Sequence, residues 1–236
     1  SIVIESVNGY GSTSIEASDS SKHVISVMAR NVTIKGFDLY GANTSGRAGI
    51  YFAPDSEDGK AIDNRCGFDN GHKNFIGVYI EHTRNIEVSG TVCQVNSRYG
   101  IYARGSNNIL LSDNTLEQQA AAGIYLQDIR DSTIIHNTLS NNPGYGLNLK
   151  HSNYNDLSSN FCDNNTAAGI MIENSHDNTL SDNRTNDNGT SGIVIEDSFS
   201  NRIYENQCLG NNDFGLYTNS YGNQVYDNDC WQNDST

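Results

Sequence analysis

A tetrapeptide of glycine, aliphatic, variable and aliphatic residues recurs at a fixed interval along this chain, and no other feature constrains its fold as strongly. It reads GVYI from Gly77, GIYA from Gly100, GIYL from Gly123, GLNL from Gly146, GIMI from Gly169, GIVI from Gly192 and GLYT from Gly215, each glycine 23 residues after the last. A further copy, GIYF from Gly49, lies 28 residues before Gly77. A second motif accompanies the first: NILLSDNTL from Asn108, NDLSSNFC from Asn155, NTLSDNRT from Asn178 and NRIYENQC from Asn201. In both motifs aliphatic and polar residues alternate, which is the two-residue period of a half-buried strand. Glycine and asparagine interrupt every stretch that could carry a helical period. A 23-residue unit with two or three short strands cannot bury its apolar face alone, but it can against identical neighbours. The expected fold is therefore all-β, a single-stranded parallel β-helix. Nine or ten turns stacked about 4.8 Å apart would make a rod of roughly 45 Å.

Stacking places residues in columns. One interior column reads Val88, Leu111, Ile134, Leu157, Leu180, Ile203 and Val225. A second reads Asn64, Thr91, Asn114, Asn137, Asn160, Asn183, Asn206 and Asn228, and a third Asn96, Gln119, Asn142, Asn165, Asn188 and Asn211. Asparagine tolerates the left-handed backbone of tight corners, and its amide can bond the same amide one turn away, so these columns are expected to be structural ladders. Cys93, Cys162, Cys208 and Cys230 share an inward column with Leu116, Leu139 and Thr185, and Cys66 joins it if its turn is aligned on Asn64. An odd number of cysteines in an apolar column suggests buried thiols acting as small hydrophobes, although stacking also brings Cys66–Cys93 and Cys208–Cys230 within disulfide reach. No Cys/His spacing suits a metal.

Composition narrows the function. The 236 residues carry 14 Lys and Arg against 28 Asp and Glu, a net charge of −14, so duplex nucleic acid is not an expected partner. No apolar run is long enough to span a membrane. The whole chain, 1–236, reads as one domain, with irregular turns over 1–76 and regular ones over 77–236. The irregular part holds the acidic loop PDSEDGK, where Asp55, Glu57, Asp58 and Asp63 are the candidates for calcium, the only cofactor considered. Their spacing is not that of an EF-hand, and a solvated loop is the preferred reading.

Two outward columns carry the candidate chemistry. Tyr51, Tyr79, Tyr102 and Tyr125 form an aromatic ladder expected to be exposed, open to glycan contact, lateral packing or plain sheet support. Beside it run Glu81, Arg104, Gln127, Lys150, Glu173 and Glu196, with His82, Asp128, His151 and Asp197 next to them. An enzyme acting on uronic acids needs a cation for the carboxylate, a base for the adjacent proton and an acid, often tyrosine. Tyr102, Arg104, Tyr125, Lys150 and His151 supply those types on one face. Arg104 and Lys150, however, lie two turns apart, near 10 Å, so exposed charge pairs are favoured over a catalytic centre. Sequons at Asn31, Asn43, Asn164, Asn183, Asn188 and Asn233 fit an extracellular setting.

The GIYL and NTLSDN repeats, with the opening SIVIESVNGYGSTSIEAS and the NVTIKGFDLYG that follows, resemble the parallel β-helix repeats of NosD-like proteins and archaeal surface proteins. The resemblance covers essentially the whole chain and implies a right-handed coil. It does not choose an activity, since similar turns occur in polysaccharide lyases, epimerases, phage depolymerases, copper-maturation proteins and non-catalytic surface proteins. The DPHE motif of mannuronan epimerases is absent from this sequence. No amphipathic capping helix is encoded at either end, so the chain is expected to be a segment of a longer protein or to meet like subunits head to tail. The leading expectation is an extracellular or cell-surface structural solenoid, non-catalytic, that self-associates or contacts polysaccharide. The alternatives are a carbohydrate-active enzyme, as a lyase, epimerase or glycoside hydrolase, and a carbohydrate-binding module of a larger surface protein.

Overall fold

The computed structural model describes residues 1–235. Twenty-four short strands and no helix are found among them. The strands fall into three sheets whose neighbours are successive coils of one solenoid: ten strands from Ile2–Glu5 to Gln224–Tyr226, nine from Ile25–Val27 to Leu216–Thr218, and five from Ser14–Glu16 to Thr115–Glu117. Past Thr115–Glu117 the third face continues as single parallel bridges through Thr138, Phe161, Arg184, Gln207 and Asp229.

The register is the one the repeat demands, because a one-residue slip would turn every aliphatic side chain outward. Val88, Leu111, Ile134, Leu157, Leu180 and Ile203 are fully buried, as are Cys66, Cys93, Cys162 and Cys208. Two expected interior residues differ. Val225 pairs with Ile203 yet is exposed, and Cys230 is exposed, because no further coil covers them among the described residues. All five cysteines are free thiols.

The repeat glycines are required by space rather than by backbone angle. A Cβ on Gly123 would lie 2.8 Å from the Gly146 carbonyl oxygen, and one on Gly146 2.6 Å from that of Gly169. The coils approach too closely there for any side chain.

The ladders form as expected. The Nδ2 groups of Asn114, Asn137, Asn160, Asn183 and Asn206 each donate to Oδ1 of the next asparagine at 2.9–3.1 Å. Asn142, Asn165, Asn188 and Asn211 repeat this at 3.0–3.2 Å. A third ladder, Asn155, Asn178, Asn201 and Asn223, was not anticipated. Nor was the serine file in which the backbone N–H groups of Ser152, Ser175 and Ser198 donate to the next hydroxyl. The left-handed corners lie one residue earlier than the ladder asparagines. Asp113, His136, Ser159, Asp182, Glu205 and Asp227 have φ between 54° and 57° and turn the chain so that the asparagine after each points inward.

The irregular coils carry their extra length at one corner. Paired residues Cys93 and Ile101 are eight positions apart; the equivalent pairs Cys66–Val78, Leu39–Ile50 and Ile15–Ile25 are twelve, eleven and ten apart. The acidic loop adds only one residue, since Phe52–Ala61 spans nine positions where Ile80–Val88 spans eight. The insertions therefore build a wall along one edge of the nine-stranded sheet. In the acidic loop Glu57 pairs with Arg30 at 2.9 Å and Arg84 at 3.0 Å, and Asp58 accepts from Asn85 at 2.8 Å. These acids and Asp55 and Asp63 do not converge; no group of three or more His, Cys, Asp or Glu side chains does so among the described residues.

Candidate functional site

The outer face of the nine-stranded sheet presents the tyrosines. Tyr51, Tyr79, Tyr102 and Tyr125 are direct partners on successive strands. Ring centroids are 5.2 Å apart for Tyr51–Tyr79, 5.0 Å for Tyr79–Tyr102 and 5.4 Å for Tyr102–Tyr125, with Tyr79 and Tyr102 nearly parallel. The ladder is not freely exposed, as the sequence suggested. Tyr79 is only 8% exposed and the other three are half-buried, because a neighbouring column covers them. That column holds Ile76, Tyr99, Ala122 and Tyr145, one residue before each repeat glycine, and Tyr99 stacks on Tyr125 at 5.0 Å. It stands three positions before the tyrosine column, so strict strand alternation would put the two on opposite faces, yet their rings pack together. The two-residue period therefore could not have announced this cover.

The insertion wall closes this layer into a recess of about 270 Å³. Tyr79, Tyr99, Tyr102 and Tyr125 line its floor, while Ser45, Gly46 and Phe75 come from the inserted loops. Ile76, Arg98, Arg104 and Gln127 complete the lining. The Arg98 guanidinium lies 5.0 Å over the Tyr99 ring and 5.9 Å from that of Phe75, and Arg98 makes no salt bridge among the described residues. Arg104 is tied by Nε to Glu81 Oε1 at 3.4 Å. Glu81 also accepts hydrogen bonds from the hydroxyls of Tyr51 and Tyr79. Burial pushes the Glu81 carboxyl up, but those two hydroxyls and Arg104 outweigh it and hold the group below its ordinary value. Burial, then the bond to Glu81, pushes the Tyr51 phenol up to about 12; burial likewise raises Tyr79, Tyr102 and Tyr125. The tyrosines are thus neutral donors with apolar faces.

Of the catalytic candidates, Tyr102, Arg104 and Tyr125 meet in the recess, with the Tyr102 hydroxyl donating to Gln127 at 3.3 Å. Lys150 and His151 stand outside it. Lys150 Nζ is 2.6 Å from Glu173, and His151 occupies a left-handed corner, 3.9 Å from Asp128. The left-handed turn takes His151 around the edge of the sheet, so one-face placement by spacing alone was wrong for it.

Sequence reading also missed His23. Its ring stacks on Tyr51 at 4.2 Å, accepts from the Ala48 N–H at 3.1 Å and lies 3.1 Å from Arg47 Nη1. Burial, then the Arg47 charge, lowers its pKa from 6.5 to about 4. The unfolded chain takes up this proton first, so the contribution to stability is complete above pH 6.5 and is lost as pH falls toward about 4. A His23→Gln variant is expected to lose less stability than wild type across that window. Paired thermal melts over a pH series check this, and parallel pH dependences would refute it.

A family model described as periplasmic copper-binding protein (NosD) matches residues 42–229. The chain belongs to the NosD family. No curated protein matches it. Among solved structures, a double mutant of the periplasmic alginate epimerase AlgG superposes with a TM-score of 0.75 at 20% identity, covering 87% of this chain and 61% of that one. The A-module of Azotobacter vinelandii mannuronan C-5 epimerase AlgE4 gives 0.76 at 16% identity, covering 99% and 81%. PfbA, a surface adhesin of Streptococcus pneumoniae, gives 0.71 at 14%, covering 93% and 62%. With the family match, these likenesses identify the solenoid as a right-handed parallel β-helix. This NosD-family chain spans only 61% of the AlgG structure's length.

The family description names copper, and the donor set does not fit a centre with three or more side-chain ligands. Among the described residues no such group of His, Cys, Asp or Glu exists. Cys66 and Cys93 lie together in the apolar interior, where burial pushes the Cys93 thiol far up and away from a ligating thiolate.

Proposed function

We propose that this NosD-family chain is a non-catalytic glycan-binding solenoid that works outside the cytoplasm, in the periplasm or at the cell surface, and holds acidic polysaccharide in the tyrosine recess. The observation that carries the reading is the pairing of a half-buried aromatic floor with Arg98, a cation without a salt-bridge partner among the described residues, in a walled concavity. Aromatic faces match the C–H faces of sugar rings, and a guanidinium matches a carboxylate. On a chain of net charge −14 a polyanion needs such local cations to overcome general repulsion. A concave, walled surface suits a ligand chain better than a flat lateral partner. The family description, the periplasmic AlgG and the surface adhesin PfbA support a location beyond the cytoplasm.

The test is affinity electrophoresis and calorimetry against polymannuronate, polygalacturonate and a neutral glucan. Wild type is expected to bind a polyuronate and not the glucan, with Tyr102→Ala and Arg98→Ala each weakening binding about tenfold, or ~1.4 kcal/mol. Absence of polyuronate binding would sink the reading. One observation favours a lyase or epimerase as the second reading: Arg104 stands in the recess beside Tyr102, with Nη2 3.4 Å from His82 Nε2. Release of ultraviolet-absorbing unsaturated product, or a changed uronate composition, would replace the first reading with this one.

A further inference from the structure

A second aromatic surface lies beyond the opposite edge of the nine-stranded sheet, in the C-terminal coils. In the earlier coils this edge is polar: Arg84, Asn107, Arg130 and Asn153 stack as parallel bridges. The next two positions in the column, 23 residues apart, are His176 and Phe199, whose rings stack at 3.6 Å. Phe199 is 50% exposed and Tyr221, in the following coil, 90% exposed. Tyr154, 62% exposed, stands in the adjacent corner column with φ of 60°, where other coils place Asn108, Asp131 and Asp177. A left-handed backbone disfavours a bulky aromatic and suits asparagine or aspartate. At that corner the fold asks for a small polar residue, which Tyr154 is not, and Phe199 and Tyr221 leave much of their rings uncovered in a column that is polar in the earlier coils. Placement against the local preference points to function.

The surroundings indicate what the strip would take. A depression of about 250 Å³ between Phe199 and Tyr221 is lined by Asp197, Ser198, Asn219 and Ser220. A broader one of about 610 Å³ beside Tyr154 holds Asp156, Asp177, Asp182 and Thr179. Asp156, Asp177, Asp182 and Asp197 are exposed and make no salt bridge among the described residues. The one arginine lining the larger depression, Arg202, donates to the Tyr226 hydroxyl at 3.1 Å. The strip therefore combines ring faces, hydroxyls and unpaired carboxylates, the opposite charge to the tyrosine recess.

We infer that the edge formed by Tyr154, His176, Phe199 and Tyr221 is a second glycan-binding surface, specific for chains bearing protonated amino sugars. Ring faces stack on the sugars, and Asp177 and Asp197 pair with the ammonium groups. The inference is independent of the acidic-glycan reading, since the two surfaces lie at different edges and differ in charge.

The experiment is calorimetry of the full chain with fully deacetylated chitosan oligosaccharides in low-salt, mildly acidic buffer, alongside their N-acetylated counterparts. Wild type is expected to bind the deacetylated oligomer, at least tenfold more weakly after Phe199→Ser or Tyr221→Ser. Asp177→Asn, which keeps a residue suited to the corner, is expected to weaken the deacetylated oligomer severalfold and leave the N-acetylated one unchanged. Tyr102→Ala should leave chitosan binding as in wild type, so failure of the polyuronate reading would be visible separately. Far-ultraviolet circular dichroism verifies that each variant is folded. No binding by wild type, equal binding by Phe199→Ser and Tyr221→Ser, or a Tyr102→Ala effect equal to theirs would each overturn the inference.

Discussion

Asn160→Ala is expected to lower the unfolding free energy by about 1–3 kcal/mol, because it leaves the buried Asn137 N–H without a partner. Asn160 is fully buried. Its Oδ1 accepts from the Asn137 backbone N–H at 3.1 Å, and its Nδ2 donates to the Ile134 carbonyl at 2.8 Å. Alanine removes the partner of that N–H, takes one of two donors from the Ile134 carbonyl, which keeps its strand pairing, and breaks the ladder at two links. Against a typical stability of about 5–15 kcal/mol this is a large fraction. Asn43→Ala, in an exposed loop, should stay within about 0.5 kcal/mol. Asn160→Asp adds a sign test. A carboxylate there faces the Ile134 carbonyl and Asn183 Oδ1, both acceptors, so the protonated form is favoured and the folded pKa rises. Relative to wild type the variant should therefore be least destabilised in acid and lose ground as pH rises through that raised value. Urea unfolding of the three variants measures all of this. An Asn160→Ala shift no larger than that of Asn43→Ala would mean the ladder is ornamental to stability.

The ladder illustrates which parts of the structure were legible in the sequence. The glycine period set the register, so the columns through Val88 and Asn114 could be written down before any coordinate, and they pair as written. Handedness came only with the resemblance. The corners were misplaced by one residue because asparagine is favoured both in left-handed turns and in amide ladders, and composition does not say which role it fills. The third ladder escaped because its early positions are Ile109 and Ser132, so the asparagines begin only at Asn155. At the site, the tyrosine column was visible but its burial was not. Tyr99 covers the ladder from a neighbouring column, and the wall behind it depends on which segment absorbs each insertion, which strand pairing alone reveals. The pairs Glu81–Arg104 and Lys150–Glu173 were readable because they follow from register; the wall that makes Arg98 part of a recess was not.

Gly123→Ala is the second large effect, expected to destabilise by about 1–3 kcal/mol through overpacking alone. A Cβ at this position would meet the Gly146 carbonyl oxygen at 2.8 Å and both Asn142 Nδ2 and Leu139 Cβ at 3.3 Å. Only Asn142 Nδ2 can yield by side-chain movement; Leu139 Cβ is held by its own backbone, and the carbonyl belongs to the backbone of the next coil. To admit the methyl the coils must part, and parting them stretches the bonds that cross the same gap, including the Gln119 N–H to Asn142 Oδ1 at 2.9 Å and Asn142 Nδ2 to the Leu116 carbonyl at 3.2 Å. The cost therefore falls on the interface between coils rather than on the residue itself, as in any stack of repeats held by nearest-neighbour contacts. Gly46→Ala separates this from the usual account of glycine. Gly46 has φ of 78° with nothing near its missing Cβ, so it should cost only the roughly 1–2 kcal/mol of a left-handed alanine and leave the coil spacing alone. Hydrogen exchange distinguishes the two mechanisms where melting temperatures do not. Gly123→Ala should speed exchange at the amides of Gln119 and Asp128, which bond across to Asn142 Oδ1 and the Lys150 carbonyl, while Gly46→Ala should leave them protected. Equal protection in both variants would show that the solenoid absorbs a methyl between its coils, and the glycine repeat would then need a different cause.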